Sequence, residues 1–388
     1  MLSPTVVRQG YPNNSATRDL CEPTLLSSKS IDFGLAKDIC FADVEWAKPQ
    51  YSRAQVDEAG RNLTRQDATP AERIRAYMVM NNWRASHSFP MRTMRYATGR
   101  YRDRVCAKGT VVQRLKRQYS ITRKLRDYPK MRLSQIQDIA GCRAIVDTID
   151  EVYGIQEAFQ ASQIRHKLMG VDDYIQLPRQ SGYRGVHLKY GYISDSNAVY
   201  NGHRVEIQIR TPLQHVWATA VETTGTIRRQ ALKSSIGDKG WLRFFSLMGG
   251  VCAIREDTSP IPSTPSDHLA LRAELKQVAE QINVDQHLDL VGAALRLTQQ
   301  QPFTTEAQYF LLRLDAIKGS LSARPFSSSD LSSATQAYAD TEMEAREKPE
   351  IDAVLVSVDS LEDLEKAFPN YFLDMKAFRK LFHEEIGD

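Results

Sequence analysis

The segment HRVEIQIRT, residues 203–211, alternates polar and apolar side chains and predicts a β-strand with two different faces. One face is apolar, and the other carries Glu206, Gln208 and Arg210. That second face is a poor choice for a core, because buried charges need partners. It suits a pocket for metal and phosphate, although a solvated face is the simpler interpretation of this segment alone.

Helix and strand signals alternate around this segment, which predicts an α+β fold. Short apolar runs at 142–146 and 185–193 predict two more strands, and Thr69-Pro70 predicts the start of a helix that Pro90 interrupts. The other helices expected here cover residues 91–106, the region around Gly109, 119–128, 151–168 with Asp150 as its cap, the segment after Pro212 and 241–254.

A stretch rich in Pro and Ser at 257–267 predicts a linker. It separates an N-terminal helical region at 1–79 and a central domain at 80–256 from a smaller C-terminal α/β domain at 268–388. The elements expected in the last domain are helices at 268–298, 328–347, 361–367 and 373–385 and strands at 308–318 and 351–358. The first 66 residues give weak signals and no role.

Composition excludes several classes of protein. The chain has 388 residues, 42% hydrophobic and 25% charged, which is ordinary for a globular protein. It shows neither an apolar run of the ~18–20 residues that a membrane helix needs nor the apolar core of a signal peptide. The five cysteines are scattered and form no CxxC pair, so we expect no disulfide framework, no zinc ribbon and a cytoplasmic location.

The net charge of +4 conceals a strong asymmetry along the chain. Residues 84–146, the basic block, hold 16 Lys and Arg against three acids, whereas residues 261–388 hold 12 basic and 22 acidic residues. The basic block suggests a site for a polyanion, and the acidic segment suggests a cover for it. Two solvated surfaces of opposite sign explain the same pattern equally well.

Two carboxylates are placed to hold a metal ion together. Asp138 lies just before the strand at 142–146, and Glu206 lies on the polar face described above. Carboxylate and phosphate oxygens are the ligands that Mg²⁺ prefers. Arg143 lies inside a predicted buried strand, where its charge needs an anion. The alternative role of Asp138 is that of a cap or turn residue.

Basic and aromatic residues complete the candidate site. The segment RLKRQYSITRK carries four groups of the kind that neutralise a triphosphate: Arg114, Lys116, Ser120 and Lys124. Farther along, Gly182 and Gly185 flank Tyr183, whose aromatic face on a loop suits stacking on a base. A solvated basic helix and a packed tyrosine are the simpler interpretations of these two segments taken singly.

In this order and spacing, the motifs resemble those of the RelA/SpoT-type synthetase family across roughly residues 80–255. The matching residues are Arg114, Lys116, Ser120, Lys124, Leu125, Asp138, Gly141, Arg143, Tyr174, Ile175, Pro178, Gly182, Tyr183, His187 and 206–211. Arg179 stands where the family has Lys, which keeps the charge. The resemblance implies a mixed sheet flanked by helices, nucleotidyltransferase-like, and transfer of the β,γ-pyrophosphate of ATP to a ribose hydroxyl.

The resemblance also implies a role for each candidate residue. Catalysis is expected to rest on Asp138, Glu206 and Tyr183, with Mg²⁺ on the two carboxylates and Glu206 as metal ligand or proton acceptor. The residues expected at the ATP phosphates are Arg114, Lys116, Ser120, Lys124, Arg143, Gln208 and Arg210. The residues expected at the acceptor are Tyr174, Arg179, Gly182, Tyr183 and His187, with Tyr183 stacked on the acceptor nucleotide.

Residues 351–388, which contain VLVSVDSLEDLEKAFPNYFLDMKAF, resemble the end of CapRel-type fused toxin–antitoxins, whose pseudo-zinc-finger half senses a phage capsid protein. The resemblance implies that Phe368 and Tyr371 block the adenine pocket of an autoinhibited enzyme. Residues 261–388 contain no Cys, which excludes thiolate metal binding there. The expected acceptor is the 3′ end of tRNA, the expected effect is a block of translation in anti-phage defence, and the expected trigger is a phage major capsid protein.

Two other functions stay open at this point. One is an alarmone synthetase that uses GDP or GTP with the same catalytic residues, and the other is a nucleotide- or RNA-binding sensor without catalysis. No His-Asp pair occurs in the sequence, so hydrolysis of alarmones is not expected. The sequence does not determine the oligomeric state, and a monomer without membrane contact is the working expectation.

Overall fold

A single mixed sheet of nine strands organises the part of the chain that the computed structural model describes. The described residues are 46–106, 108–228, 232, 237–286, 288, 296–297, 307–315, 320–327, 330–348, 351–357 and 375–387. The strands follow the order β3-β4-β5-β2-β1-β9-β7-β8-β6 across the sheet. Their bounds are β1 Thr110–Leu115, β2 Ala140–Ile145, β3 Lys167–Asp173, β4 Val186–Gly191, β5 Arg204–Arg210, β6 Arg296–Leu297, β7 Ala307–Asp315, β8 Ser320–Ser327 and β9 Ile351–Ser357.

Helices cover both faces of this sheet. They are α1 Arg53–Thr64, α2 Pro70–Ala85, α3 Ser88–Val105, α4 Gln118–Asp127, α5 Ile149–Gln160, α6 Pro212–Ile227, α7 Lys239–Arg255, α8 His268–Gln281, α9 Leu331–Glu347 and α10 Lys376–Ile386. Strands β2 and β5 pair in parallel, whereas β1 pairs antiparallel to both β2 and β9. The predicted mixed sheet flanked by helices is therefore confirmed.

The apolar side of the central strands packs on α3 and α5. Alternate residues of β2, β4 and β5, such as Cys142, Leu188 and Ile207, are buried there with Met94 and Ile155 of the two helices. The opposite face of β5 consequently presents its polar residues, as the alternation predicted. This packing places the candidate site on one side of a rigid sheet.

The C-terminal strands continue the same sheet. The β9 strand pairs with β1 at Gln113 and Arg114 and pairs along its other edge with β7. Helix α9 packs against β9, and α10 packs into a core that also contains α7 and α8. The division of the chain into domains and the pseudo-zinc-finger description stay predictions. Phe368 and Tyr371 lie outside the described residues.

Some of the predicted helices agree with the structure and others do not. The Thr69 side chain caps α2, and Glu72 bonds back to the Thr69 amide, as predicted. The helix expected around Gly109 is wrong, because residues 110–115 form β1. The helix expected to reach residue 168 is also wrong, because α5 is capped by Thr148 and ends at Gln160.

Further differences concern the length of α8 and three unforeseen strands. Helix α8 ends at Gln281 rather than near residue 298, and the short strand β6 lies where the end of that helix is expected. Strands β3 and β8 also go beyond the prediction, and the polar residues of β3 and the Pro in β8 explain why their sequences lack a clear strand pattern. Among the described residues, none of the helices has the length and hydropathy to cross a membrane.

Candidate active site

The polar face of the central strands opens into a cleft beside the start of α4. Six predicted site residues line this cleft together: Arg114, Lys116, Ser120, Asp138, Arg143 and Gln208. They come from β1, α4, β2, β5 and the connections between these elements. The structure thus brings together residues that are nearly 100 positions apart in the sequence.

The register of three strands explains why there is space at this point. Arg114 of β1 lies opposite Gly141 of β2, and Gly141 lies opposite Glu206 of β5. A glycine between two long side chains leaves room on the polar face. A Cβ atom added at Gly141 would meet only the Arg114 carbonyl oxygen, at 3.6 Å. Gly141 therefore forms the floor of the cleft.

Two lysines hold the carboxylate of Asp138. Lys116 Nζ lies 2.6 Å from Oδ2 and Lys124 Nζ lies 3.0 Å from Oδ1. Burial would raise the pKa of Asp138, but the two ammonium groups outweigh it and hold this pKa well below its usual range. Burial also lowers the pKa of Lys116. Asp138 is therefore an anion in a strongly cationic environment.

Arginines crowd the other side of the cleft. Arg143 is buried, and this burial together with the nearby charges of Arg210 and Arg114 lowers its pKa to about 9. Repulsion among three guanidinium groups is relieved when an anion lies between them. The geometry therefore suits a phosphate-bearing ligand.

A closed ring of hydrogen bonds joins five residues of β4, β5 and the preceding loop. Arg210 donates to the Tyr183 hydroxyl at 2.8 Å and to Gln208 Oε1 at 2.7 Å. Gln208 Nε2 donates to Glu206 Oε2 at 2.7 Å, and His187 Nδ1 lies 3.2 Å from Glu206 Oε1. The Tyr183 hydroxyl lies 2.5 Å from His187 Nε2 and closes the ring. Each member orients its neighbours, so Glu206 has little freedom.

The ring keeps Glu206 ionised. Burial would raise the pKa of Glu206, but the charge and hydrogen bond of His187 and the hydrogen bond from Gln208 lower it to about 2. Proton acceptors work best when their pKa lies near the working pH. A carboxylate with so low a pKa is better suited to orienting groups or holding a cation than to accepting a proton.

The predicted acceptor residues form an aromatic cluster at one end of β4. The rings of Tyr174, Tyr183 and His187 contact one another edge to face, with centroids 5.3–5.6 Å apart. The Arg179 guanidinium lies 4.4 Å from the Tyr174 ring centroid. Tyr183 itself is only 6% exposed, and the Arg210 guanidinium lies 5.2 Å from its ring centroid. Stacking of Tyr183 on a nucleotide stays a prediction, and it would require Arg210 to move.

Gly182 allows the loop that carries Tyr183 to approach α7 closely. Its φ of +92° is unfavourable for other residues, and an added Cβ would lie 2.8 Å from the Phe245 carbonyl oxygen. Next to Tyr183, the buried Arg184 forms a 2.5 Å ion pair with Glu256, at the end of α7. Contacts with α7 and the ion pair between Arg184 and Glu256 therefore fix this loop, and neither Arg184 nor Glu256 was among the residues predicted from the sequence.

The donor chemistry of the cleft fits Mg²⁺. Asp138 and Glu206 are both ionised, and Mg²⁺ in nucleotide enzymes is held by one or two carboxylates together with phosphate oxygens. Within the described part of the chain, no group of three or more His, Cys, Asp or Glu residues is arranged to hold a metal alone. An ion at this site would therefore take its remaining ligands from a nucleotide and water.

Arg117 also lines the cleft, although it was not among the site residues predicted from the sequence. Its position between Lys116 and Ser120 is the signal that could have identified it. Lys124, by contrast, contributes through its bond to Asp138.

The part of the chain that forms the cleft is similar to known proteins. Residues 113–226 match the family model described as the region found in RelA / SpoT proteins. These residues form a RelA/SpoT-type region. It contains all of the predicted ATP and acceptor residues and extends from β1 into α6.

Two curated relatives are similar to part of the chain. The chain is 35% identical over 113 residues to the GTP pyrophosphokinase YjbM of Bacillus subtilis, a match of 28% of this chain and 52% of that protein. It is 33% identical over 84 residues to the GTP pyrophosphokinase YwaC of the same organism, a match of 22% of this chain and 40% of that protein. The chain thus spans about half the length of these relatives, or less.

Solved structures of similar proteins were also found. Small alarmone synthetase 1 of Bacillus subtilis, bound to its product pppGpp, has a TM-score of 0.38 and 21% identity, covering 44% of this chain and 89% of that chain. A GTP pyrophosphokinase family protein from Streptococcus pneumoniae has a TM-score of 0.37 and 22% identity. The match covers 45% of this chain and 86% of that chain.

Proposed function

We propose that this protein is an ATP-dependent pyrophosphokinase that transfers the β,γ-pyrophosphate of ATP to a ribose hydroxyl. The observation that carries the proposal is the cleft itself, where the ionised Asp138 faces a set of fixed cations and the ionised Glu206 lies on the neighbouring strand, opposite Gly141 of the cleft floor. Phosphoryl transfer needs positioning and charge neutralisation more than covalent chemistry from the protein. The match of residues 113–226 to RelA/SpoT proteins supports the same reaction.

In this proposal the cleft residues bind the triphosphate. Arg114, Lys116, Arg143 and their neighbours neutralise its charge, and the Ser120 hydroxyl donates to a phosphate oxygen. Lys116 and Lys124 exchange part of their contact with Asp138 for contact with phosphate. Mg²⁺, held by Asp138 and Glu206 when bound, supplies further neutralisation of charge at the phosphates.

Glu206 in this proposal orients rather than accepts a proton. Its low pKa and its two hydrogen bonds favour a fixed anion, which leaves the metal-ligand role as the better of the two that the sequence allowed. Tyr174 and Arg179, at the rim of the aromatic cluster, hold the acceptor, and Gly182, Tyr183 and His187 shape the wall behind it.

We propose the 3′ end of tRNA as the acceptor. The basic block of residues 84–146 supports this choice, because phosphate neutralisation supplies much of the affinity for nucleic acids. A specific observation favours the alternative acceptor, GDP or GTP, since the curated relatives are named GTP pyrophosphokinases. The same catalytic residues serve both acceptors.

We further propose that residues 268–388, which we name the C-terminal segment, regulate the enzyme. Its excess of acidic residues complements the basic block, and β9 and α9 contact the elements that carry the cleft. In this proposal the segment around Phe368 and Tyr371 closes the adenine pocket until a phage major capsid protein binds. Activity in the cytoplasm would then block translation and limit phage growth.

A label-transfer assay tests the reaction and the acceptor together. The full chain is incubated with γ-labelled ATP, Mg²⁺, bulk tRNA and GDP, with and without a phage major capsid protein. Glu206→Gln is the inactive comparison, because the amide keeps the size of the side chain and removes its charge. Glu157→Gln, on the exposed face of α5, is the matched control and should behave as wild type.

Each outcome selects one function. Label on tRNA only in the presence of capsid protein would support the autoinhibited tRNA enzyme. Label on GDP without any trigger would establish the alarmone synthetase instead. Full transfer by Glu206→Gln would exclude the proposed site, and tight ATP binding without transfer to either acceptor would indicate a nucleotide-binding sensor.

A further inference from the structure

Residues 113–118, which we name the phosphate turn, link the end of β1 to the start of α4 and carry three cations of the cleft. The C-terminal segment holds this turn at both ends. At one end, Gln113 and Arg114 pair with Ser357 and Val356 of β9. At the other end, the backbone N–H of Gln118 donates to Oε1 of Glu342 in α9 at 2.9 Å.

Glu342 also reaches the middle of the phosphate turn through Arg84. Arg84 Nη1 donates to Glu342 Oε2 at 2.7 Å and to the Lys116 carbonyl oxygen at 3.3 Å. The Tyr338 hydroxyl donates to Glu342 Oε1 at 2.9 Å, and the Arg84 guanidinium lies 4.5 Å from the Tyr338 ring centroid. The side chains of Arg84 and Glu342 are only 4% and 7% exposed. A buried, hydrogen-bonded ion pair of this kind holds the surrounding backbone in a defined position.

The position of Glu342 suits the electrostatics of α4. The first turn of a helix has unsatisfied N–H groups and a partial positive charge, which a carboxylate stabilises. Arg117 precedes α4, and an arginine side chain has no acceptor atom with which to cap it. Glu342, more than 200 residues away in sequence, supplies the missing carboxylate.

Glu342 contacts the phosphate turn on the side that faces away from the cleft. The residues that line the cleft lie at positions 112–143 and at Gln208, and none of those lining residues comes from α9 or β9. Gln118, which Glu342 contacts, is buried, whereas Lys116 and Ser120 face the cleft. From this side, the Glu342 carboxylate can orient the cations of the phosphate turn without occupying the part of the cleft where a phosphate would bind.

We propose that Glu342 is a positioning residue for ATP, through which the C-terminal segment sets the geometry of the phosphate turn. This inference rests on the proposed function of the cleft as an ATP site. In this inference the C-terminal segment helps to position the cations that bind the ATP phosphates, in addition to its proposed closing of the adenine pocket. A ligand that moves α9 would then change ATP affinity without touching the cleft.

The test compares Glu342→Gln with Glu344→Gln in the full chain. Glu344 lies on the same helix but pairs with Arg313 and Lys348 inside the C-terminal segment, so it is the matched control. Binding of ATP with Mg²⁺ is measured by calorimetry without an acceptor, and amide exchange of residues 113–118 is measured by mass spectrometry. We expect Glu342→Gln to weaken ATP binding about tenfold, the effect of one charge-assisted hydrogen bond.

Amide exchange separates this inference from the proposed function. In Glu342→Gln the phosphate turn should exchange faster than in the wild type and in Glu344→Gln, whether or not ATP binds. Unchanged exchange together with unchanged ATP affinity would overturn the inference, and so would tighter ATP binding, which would make Glu342 an inhibitory contact. If the wild type binds no ATP although Glu342→Gln still speeds exchange, the proposed function fails and the mechanical role of Glu342 stands.

A milder variant covers the case in which Glu342→Gln does not fold. Tyr338→Phe removes the hydroxyl that donates to Glu342 and accepts from Arg84 Nη1 at 3.1 Å, and it leaves the buried ion pair in place. It should weaken ATP binding by a smaller factor, about threefold, in the same direction. An ATP affinity equal to that of the wild type in this variant would count against the inference.

Discussion

Lys116 Nζ lies 2.6 Å from Asp138 Oδ2, and this ion pair joins the end of β1 to the entrance of β2. Both side chains are about one-fifth exposed at the mouth of the cleft. Lys124 approaches the other carboxylate oxygen, so Asp138 stands between two cations. In the proposed function, this arrangement would keep the lysines in place for a phosphate and keep Asp138 ionised for a cation.

Replacement of Asp138 by Asn should abolish most of the activity. The amide removes the charge that holds both lysines and the charge that a divalent cation needs, so we expect a loss of about 100-fold or more in kcat. Single-turnover transfer of label from γ-labelled ATP measures this loss. Asp127→Asn, on the exposed end of α4, is the control and should retain activity. Wild-type turnover by Asp138→Asn would remove Asp138 from the site.

The pH dependence of stability should reveal the ionised state of Glu206. Its pKa is lowered from 4.5 to about 2 in the folded protein, so its ionisation stabilises the fold above about pH 4.5. This contribution, about 3 kcal/mol, is lost as the pH falls from about 4.5 towards 2. Glu206→Gln should therefore be less stable than the wild type at pH 6, and the difference should shrink on acidification.

Urea unfolding at pH 6, 4 and 3 measures this difference. Glu157→Gln should instead follow the wild type at each pH, because its side chain is exposed on α5. If the free-energy difference between wild type and Glu206→Gln stayed constant over this range, the carboxylate would not titrate with a lowered pKa.

The residues of the site could be predicted from the sequence, but their contacts could not. The spacing of RLKRQYSITRK, the segment QDIAGCRAIV and the alternation around Glu206 together identified six of the residues that line the cleft. The hydrogen-bond ring from Arg210 to Tyr183 depends on the register of β4 and β5, which no local pattern specifies. For the same reason the burial of Tyr183 could not be foreseen.

Long-range pairing also limited the prediction of the fold. The sequence around β1 predicts a helix, because its polar residues, such as Gln113 and Arg114, suit a surface helix in isolation. They form a strand because β2 and β9 pair with both of its edges. Glu342 gave no signal in the sequence, since its partner Gln118 is more than 200 residues away.

Replacement of Gly141 by Val should block the cleft without disturbing the sheet. A Cβ atom there meets only the Arg114 carbonyl oxygen at 3.6 Å, and β-branched residues suit strands, so the free energy of unfolding should change by about 1 kcal/mol or less. The added methyl groups occupy the floor between Arg114 and Glu206. ATP binding should weaken at least about tenfold.

Calorimetry with ATP and Mg²⁺ checks this prediction. Gly170→Val is the control, because Gly170 also lies in a strand and an added Cβ would meet only the flexible Lys189 side chain, at 4.0 Å. Equal ATP affinity in Gly141→Val and Gly170→Val would mean that the phosphates bind elsewhere.

Replacement of Tyr183 by Phe should open the hydrogen-bond ring at one point. The phenyl ring keeps its packing, but His187 loses its contact with the hydroxyl and Arg210 loses one acceptor. Because Glu206 is then less firmly oriented, we expect kcat to fall about tenfold. The free energy of unfolding should fall by about 1 kcal/mol, the usual contribution of one hydrogen bond.

The ATP affinity separates this effect from a general loss of structure. Tyr183 is not among the residues that line the phosphate cleft, so the Kd for ATP should stay within about twofold of the wild type. Tyr190→Phe, buried on the opposite face of β4, is the control for removal of a buried hydroxyl. If Tyr183→Phe lowered kcat no more than Tyr190→Phe does, the ring would be a packing feature and would not contribute to the orientation of Glu206.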